Sequence, residues 1–472
     1  LVKTGAKVPV DGTVLTGEGH VNEASITGEA VPAGKEKGSQ VYAGTILENG
    51  TIQIVADRVG EDTTFGRIIE LVEEAQDSKS EAERFIDRFS KYYTPAVLVL
   101  SSIVWLISRD IELAITILVL GCPGALVIGV PVSNVAGIGN GARHGVLLKG
   151  SEVIHDFSKV DTIVFDKTGT LTIGNPKVAD KEIYADNADE VLGYLASVES
   201  ESGHPLAKAV AEYIGDTKAY TVEKTDVVKG GGIVAQVEGH RVAVGNAALM
   251  EQEGVHLDEK ARADIARFEK NGNSLVLTSV DGELKALMGI RDQIRPGVKE
   301  DLQKLKKLGV KNLVLLSGDN QGTVDLAARE LGLTEAHGHM LPEDKSTYIK
   351  ELQSKGQIVA FVGDGVNDSP SIALAQIGIA MGSGTDAAIE TSDIVLMNSD
   401  FSRLPHALGL TKATANNMRQ NIVIAVGVVL VLLASVFFSE WMNMSIGMLV
   451  HEASILAVIL NGMRLLSYRL RY

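Results

Sequence analysis

Four apolar stretches constrain this chain more than any other feature. Tyr92–Ser108 carries no charge, and beyond Arg109–Glu112 the apolar pattern resumes at Leu113 and runs to about Gly139. Asn421–Phe438 and Met444–Met463 form a second pair, joined by Ser439–Asn443. Each approaches the roughly 20 residues that cross a hydrocarbon core. The short connections predict two membrane hairpins rather than buried core helices. Basic residues fall on one side: Arg84, Arg88 and Lys91 before the first stretch, Arg143 and Lys149 after the second, Lys412 and Arg419 before the third, and Arg464, Arg469 and Arg471 after the fourth. Arg109 alone lies on the other side. By the positive-inside rule both termini and the large middle segment face the cytoplasm. The expectation is a multi-pass protein of a lipid bilayer, placed in a bacterial plasma membrane with its bulk cytoplasmic.

The remainder reads as an acidic soluble body. With 44 Lys and Arg against 60 Asp and Glu, the net charge of −16 argues against a nucleic-acid binder. The one cysteine, Cys122, excludes an intramolecular disulfide scaffold. The chain opens on Leu1 with no signal-peptide pattern, which predicts a start inside a longer protein. Residues 1–75 are Gly-rich with alternating strand-like runs, predicting a small β-rich domain. Residues 76–91 predict a charged helix leading into the membrane, and residues 145–415 a large α/β region.

Within that region three apolar runs each end in a polar, Gly-rich loop. Thr162–Phe165 leads into Asp166-Lys-Thr-Gly-Thr170, Asn312–Leu316 into Ser317-Gly-Asp-Asn320, and Ile358–Val362 into Gly363-Asp-Gly-Val-Asn-Asp368. Continuous apolar runs suit strands buried on both faces of a parallel sheet, and in such sheets the site lies beyond the carboxyl ends of the strands. Asp166, Thr168, Thr170, Ser317, Asp364, Asn367 and Asp368 are therefore expected to meet, with Lys345 able to join them. Carboxylates without His or Cys favour a hard ion such as Mg2+, and a carboxylate at a strand end beside that ion can attack a phosphoryl group. No P-loop motif is present, and Gly137-x-Gly139-x-Gly141 follows a membrane stretch rather than a strand, so it is discounted as a dinucleotide fingerprint.

DKTGTLT at 166–172, SGDN at 317–320 and GDGVNDSP at 363–370 together resemble the phosphorylation domain of P-type ATPases, a branch of the haloacid dehalogenase superfamily. Thr27-Gly28-Glu29 resembles the actuator loop of that family, Cys122-Pro123-Gly124 the CPx motif of its heavy-metal class, and Ser202-Gly-His204-Pro-Leu206 the His-Pro motif of that class. The resemblance implies an α/β phosphorylation domain with a parallel sheet (145–172 and 295–415), an inserted α+β nucleotide-binding domain (173–294), a partial β-rich actuator domain (1–75) and four transmembrane helices (76–140 and 417–466). It implies Asp166 as phosphate acceptor; Asp166, the Thr168 carbonyl and Asp364 as Mg2+ ligands supported by Asp368 and Asn367; and Lys345, Ser317 and Thr170 on the phosphoryl group. It further implies Glu29 positioning the hydrolytic water, and Glu199, His204, Gly230 and Gly232 around the adenine of ATP. Ala30 stands where the family usually has Ser, and Gly203 where it usually has Glu before the His.

In the membrane, Pro123 removes a backbone donor and Gly124 lets the chain open beside the Cys122 thiol. His451 and Glu452 sit near the middle of the last stretch, where an ionisable group is costly without a function. Cys122, His451 and Glu452 are thus the candidate ligands of a transported ion. One thiolate with an imidazole and a carboxylate suits Zn2+, Co2+, Fe2+, Ni2+ or Cd2+ better than Cu(I), and His451–Ser454 (HEAS) resembles the His-Glu-Gly signature of the divalent cobalt/iron/zinc group. The expected function is ATP-driven export of a divalent transition metal through an aspartyl phosphate. The competing readings are a membrane-anchored phosphatase of the same superfamily, a P-type pump for Cu(I) or K+, and a non-pumping metal-binding membrane protein. No sequence feature identifies a partner protein.

Overall fold

The computed structural model describes residues 1–23, 32–66, 70, 77, 79, 81–202, 205–228, 231–364, 368–382 and 391–471. Glu29, His204, Gly230 and Asn367 lie outside the described residues.

Near the start of the chain, Asp11–Asn22 and Ile46–Arg58 pair antiparallel as the spine of a five-stranded sheet. Val14, Val21, Leu47 and Ile52 are buried on one face with Val8 and Val41. The outward positions are mostly exposed, as the alternating sequence requires.

The central sheet has seven strands in the order Glu335–His337, Asn312–Leu316, Thr162–Asp166, Val359–Gly363, Ile377–Met381, Ile394–Leu396 and Val146–Leu148. All neighbours are parallel except the last pair. Every residue of the Thr162, Val359 and Ile377 strands is buried, because both faces are covered. Ile163, Phe165, Leu313, Leu315, Ala360 and Val362 pack into one layer, whereas Val164, Val314, Leu316, Val359 and Phe361 pack into the other. The third apolar run begins one residue later than its sequence suggests. The Ile358 backbone N–H turns to the Asp161 carboxylate at 3.0 Å.

A second sheet is inserted between Leu171 and Ile294. Its six antiparallel strands run in the order Lys177–Ile183, Glu283–Arg291, Ser274–Val280, His240–Gly245, Gly232–Val237 and Val222–Val228. The joint is compact. Thr172 bridges to Ile294, and the Asp292 carboxylate accepts from Thr172 Oγ1 and from the backbone N–H groups of Gly174 (3.0 Å) and Asn175 (3.1 Å).

Among the described residues four helical segments, Glu81–Ser108, Ile111–Arg143, Arg403–Phe438 and Met444–Ser467, are long and apolar enough to cross a membrane. The second is interrupted: one helix ends at Leu120 and the next begins at Gly124, which is where Pro123 lacks a donor. The helix of the third span begins at Arg403, well before its apolar stretch, so sheet and membrane are joined by one continuous rod. Gly137 and its neighbours are helical, and their use is close packing. A Cβ at Gly137 would lie 2.5 Å from Thr414 Oγ1, at Gly447 2.5 Å from Leu120 Cδ2, and at Gly462 2.4 Å from Val132 Cγ1. Buried amides stitch the same helices. Asn421 Nδ2 donates to the Gly129 carbonyl (2.8 Å) and Ser133 Oγ (3.1 Å), and Ser133 Oγ donates to Asn417 Oδ1 (2.7 Å). Small residues and polar links of this kind replace the hydrophobic driving force that lipid does not supply.

Gly137→Ala is expected to push two helices apart and cost about 1–3 kcal/mol, seen as a lower Tm in detergent. Gly427→Ala, where a Cβ would meet nothing within 4 Å, is expected to leave Tm unchanged or raise it.

Candidate functional site

Asp166 ends its strand with its side chain buried, and the next residues turn through Gly169, whose φ of +76° suits a residue without a Cβ. Lys345, buried near the start of the helix Pro342–Ser354, reaches into the same place. Its Nζ donates to Asp166 Oδ1 at 2.8 Å and to Asp368 Oδ1 at 3.0 Å. Burial above all, and then the Asp368 charge, push the Asp166 carboxyl up to about 7 against the opposing pull of Lys345. Burial draws the Lys345 ammonium down, but the two carboxylates outweigh it and hold its pKa above the ordinary value.

Two buried oxygens at this spot, Thr170 Oγ1 and Asp368 Oδ2, have no hydrogen-bond partner among the described residues. Such orphaned groups are costly unless a ligand completes them. Asp364 follows the Val359–Gly363 strand, and a Cβ on Gly169 would lie 3.4 Å from its Oδ2, so the two loops touch. Ser317 is buried just past the Asn312–Leu316 strand, and its Oγ accepts from the Asp319 N–H at 3.1 Å. Thr168 is exposed at the mouth. Thus Asp166, Thr170, Ser317, Lys345, Asp364 and Asp368 do converge. Among the described residues no three His, Cys, Asp or Glu side chains close into a ready-made metal cage. The acidic donor set with unsatisfied oxygens fits Mg2+, which keeps waters and takes one or two carboxylates together with substrate phosphate.

Sequence reasoning did not single out three further residues. Lys167 pairs with Asp319 rather than with its neighbour Asp166. Burial raises the Asp319 carboxyl, but Lys167 outweighs it, so its pKa lies below the ordinary value. Arg295 donates to the carbonyls of Gly169 (2.8 Å), Thr172 (2.9 Å) and Ser399 (2.7 Å), tying the Asp166 loop to the inserted sheet's joint. Lys167 and Asp319 lie inside the quoted motifs, so that signal was present; Arg295 carried none.

In the inserted unit, Glu199 ends the helix Ala188–Glu199 and is buried, and burial pushes its carboxyl up to about 7. It lines a cavity of about 540 Å³ with Gly174, Asn175, Ser202 and Lys208. Gly232 has a structural reason of its own: φ is +143°, and a Cβ would stand 2.1 Å from the Val244 carbonyl of the paired strand.

At the membrane break Cys122 is exposed. His451 is buried against Gly124, at the end of the same break. A Cβ on Gly124 would lie 3.5 Å from His451 Nε2, and His451 Nδ1 has no partner among the described residues. Glu452 is exposed, since successive helical residues point about 100° apart. The structure therefore brings His451 to the Cys-Pro-Gly break and turns Glu452 away from it.

Residues 160–376 match the haloacid dehalogenase-like hydrolases, and residues 1–73 match the P-type ATPase actuator domain. A probable cadmium-transporting ATPase of Alkalihalophilus pseudofirmus is 36% identical over 483 residues, covering 99% of this chain and 67% of that protein. A manganese-exporting P-type ATPase of Mycobacterium bovis is 38% identical over 472 residues, covering 98% and 65%. A solved zinc-transporting PIB-type ATPase in its E2.Pi state superposes with a TM-score of 0.63 at 34% identity, covering 98% of this chain and 77% of that one. The chain belongs to the heavy-metal-transporting P-type ATPases. It spans about two thirds of the length of the curated relatives it matches. P-type ATPases are membrane enzymes that use ATP and Mg2+ and move metal ions, and the four apolar helices accord with that.

Asp166 and Glu199 keep their protons in the fold at pH values where the unfolded chain has lost them. The folded state then binds more protons, so stability of the Mg2+-free and nucleotide-free ATPase is expected to fall as pH rises from about 4 to about 7. Asp166→Asn and Glu199→Gln should each flatten that slope in urea titrations. Lys345→Met leaves two carboxylates facing each other, and should cost about 3–5 kcal/mol at pH 8 and less at pH 5.5.

Proposed function

We propose that this ATPase exports a divalent transition-metal cation by way of an aspartyl phosphate on Asp166. The observation that carries the reading is the buried Asp166–Lys345–Asp368 cluster with the unsatisfied Thr170 hydroxyl at the end of a parallel sheet. An Asp166 oxygen attacks the γ-phosphorus of ATP, the bond to the bridging oxygen breaks, and ADP leaves as an acyl phosphate forms. Asp166, the Thr168 carbonyl and Asp364, with Asp368 and Asn367 behind them, would hold Mg2+, which would supply positive charge to offset that of the phosphates. Lys345, Ser317 and Thr170 take the equatorial oxygens of the transferred group, where preorganised donors act most strongly. ATP is assigned to the inserted unit, 173–294, with Glu199, His204, Gly230 and Gly232 at the adenine, and hydrolysis of the acyl phosphate to a water held by Glu29 in the actuator, 1–75. Residues 145–172 and 295–415 form the phosphorylation domain, and 76–140 and 417–466 the two membrane hairpins.

Cys122 and His451 are the first choice for the transported ion. Glu452 is a ligand only when the last helix turns or the ion sits off its axis. The donor set and the cadmium, zinc and manganese transport of the relatives support a divalent cargo. A bacterial plasma membrane, with the catalytic units cytoplasmic, is the assigned location. No observation favours a phosphatase.

ATPase activity of the full-length protein should be stimulated by at least one of Zn2+, Cd2+, Mn2+, Co2+, Fe2+ and Ni2+ and not by Cu+; stimulation by none would reject the export reading. Asp166→Asn should form no acid-stable phosphoenzyme, and normal labelling would refute the acceptor assignment. Glu29→Gln should accumulate phosphoenzyme, so rapid dephosphorylation in that variant would remove Glu29 from the hydrolytic step.

A further inference from the structure

The inserted unit is tethered to the phosphorylation sheet by the joint at Thr172 and Ile294. A hinge alone leaves the unit free to swing. A second contact lies away from it, where the turn Gly272-Asn273 and the first residue of the Ser274–Val280 strand meet the loop after Leu316. Ser274 Oγ donates to Asp319 Oδ1 at 2.9 Å, and Thr323 Oγ1 donates to the Asn273 carbonyl at 3.1 Å. The turn is stiff on its own side. The fully buried Asn273 donates through Nδ2 to Asp180 Oδ2 (2.7 Å) and to the Phe268 carbonyl (3.0 Å), and a Cβ on Gly289 would stand 2.7 Å from its Cγ. The other Asp319 oxygen holds Lys167, the residue after Asp166.

We propose that Ser274 is a positioning residue for phosphoryl transfer: by docking on Asp319 it holds the inserted unit in register with the loop that carries Lys167 and Asp166. The proposal rests on the reading of Asp166 as phosphoryl acceptor. Asp319 serves both sides at once, fixing the ammonium beside the acceptor through one oxygen and the incoming unit through the other. Among the described residues this link consists of the Ser274 hydroxyl on the Asp319 carboxylate and of the Thr323 hydroxyl and Asn320 amide on the Asn273 carbonyl, without an ion pair, so it can close for transfer and open for the actuator. Ser274 is not part of the wall of the Glu199 cavity, so the docking acts on alignment and not on nucleotide affinity.

The test uses the full-length protein with Ser274→Ala and Ser274→Thr. Two quantities are read: the rate of acid-stable phosphoenzyme formation at saturating ATP, and the affinity for a fluorescent ATP analogue. The Ala variant should slow phosphorylation about tenfold, the worth of one hydrogen bond to a charged group. Its nucleotide affinity should stay unchanged, and the Thr variant, which keeps the hydroxyl, should return to the wild-type rate. A wild-type rate in the Ala variant, a Thr variant as slow as Ala, or affinity falling in step with rate would each overturn the proposal. Asp166→Asn is run alongside: label on that variant refutes the acceptor assignment itself, whereas an unlabelled Asp166→Asn with a fast Ser274→Ala refutes only the docking.

Discussion

One buried ammonium organises the catalytic end of this protein. Lys345 lies between Asp166 and Asp368 and bonds both. Burial strips Asp166 of water and the Asp368 carboxylate repels its charge, which is why Asp166 holds its proton up to about pH 7. A buried charge of this kind is a poor source of stability. Its value lies in fixing Asp166, the proposed nucleophile, at one rotamer and one height above the sheet, where binding energy is best spent on the transition state. The unsatisfied oxygens of Thr170 and Asp368 belong to the same economy of the site, left open for a group that arrives with the substrate.

The sheet beneath makes that arrangement possible. The Thr162 strand is flanked by the Asn312 and Val359 strands, both parallel to it, so three loops from distant parts of the chain open at one edge. Sheets of this type carry function at their carboxyl ends because the strand bodies are wholly occupied with packing. The inserted unit exploits the same edge. It leaves the Asp166 loop after Leu171 and returns at Ile294, so its joint is built from residues that already touch that loop. Arg295 fastens the two by three carbonyls.

How much of this could be read from the sequence follows from the range of each signal. The three strand ends were legible because each is an unbroken apolar run stopped by Gly and Asp, a local pattern with a direct physical cause. Lys345 could be named as a neighbour but not placed, since its segment is helical and its reach depends on tertiary packing. The Lys167–Asp319 pair and the Arg295 ties join residues more than a hundred positions apart, and no periodicity reports such pairings. In the membrane the break at Pro123 was legible from backbone chemistry alone. The division between His451 and Glu452 was not, because it depends on which face of the last helix meets the Gly124 helix. The start of the third span was hidden for a different reason. The rod from Arg403 is rich in Thr and Asn yet buried along one side, so polarity there marks helix contacts and not a domain boundary.

That rod also fixes how the sheet carrying Asp166 is joined to the membrane helices. Both chain passages between sheet and membrane occur at the same sheet edge. The helix Gly124–Arg143 passes through Gly145 into the Val146–Leu148 strand, and the Ile394–Leu396 strand leads within a few residues into the Arg403 helix. Those two strands pair with each other antiparallel, Ile394 against Leu148 and Leu396 against Val146. Beyond them the two helices are clamped again. The rings of His144 and His406 lie 4.4 Å apart, and Asn140 receives His406 Nε2 at 3.1 Å while its Nδ2 holds the carbonyls of Leu466 and Tyr468. Lys412 Nζ adds a bond to the Ser158 carbonyl at 3.0 Å. The sheet, the rod and the Gly124 helix are thus fastened at successive heights, and rotation of the sheet cannot be absorbed in a slack linker. The Gly124 helix lacks a backbone donor at Pro131 within it and is broken outright at its beginning, at Cys122 and Pro123, where His451 Nδ1 has no partner among the described residues. In the proposed pump the broken backbone therefore lies beside the candidate ion ligands Cys122 and His451, and a connection fastened at several heights runs from there to the sheet that carries Asp166, the proposed phosphate acceptor.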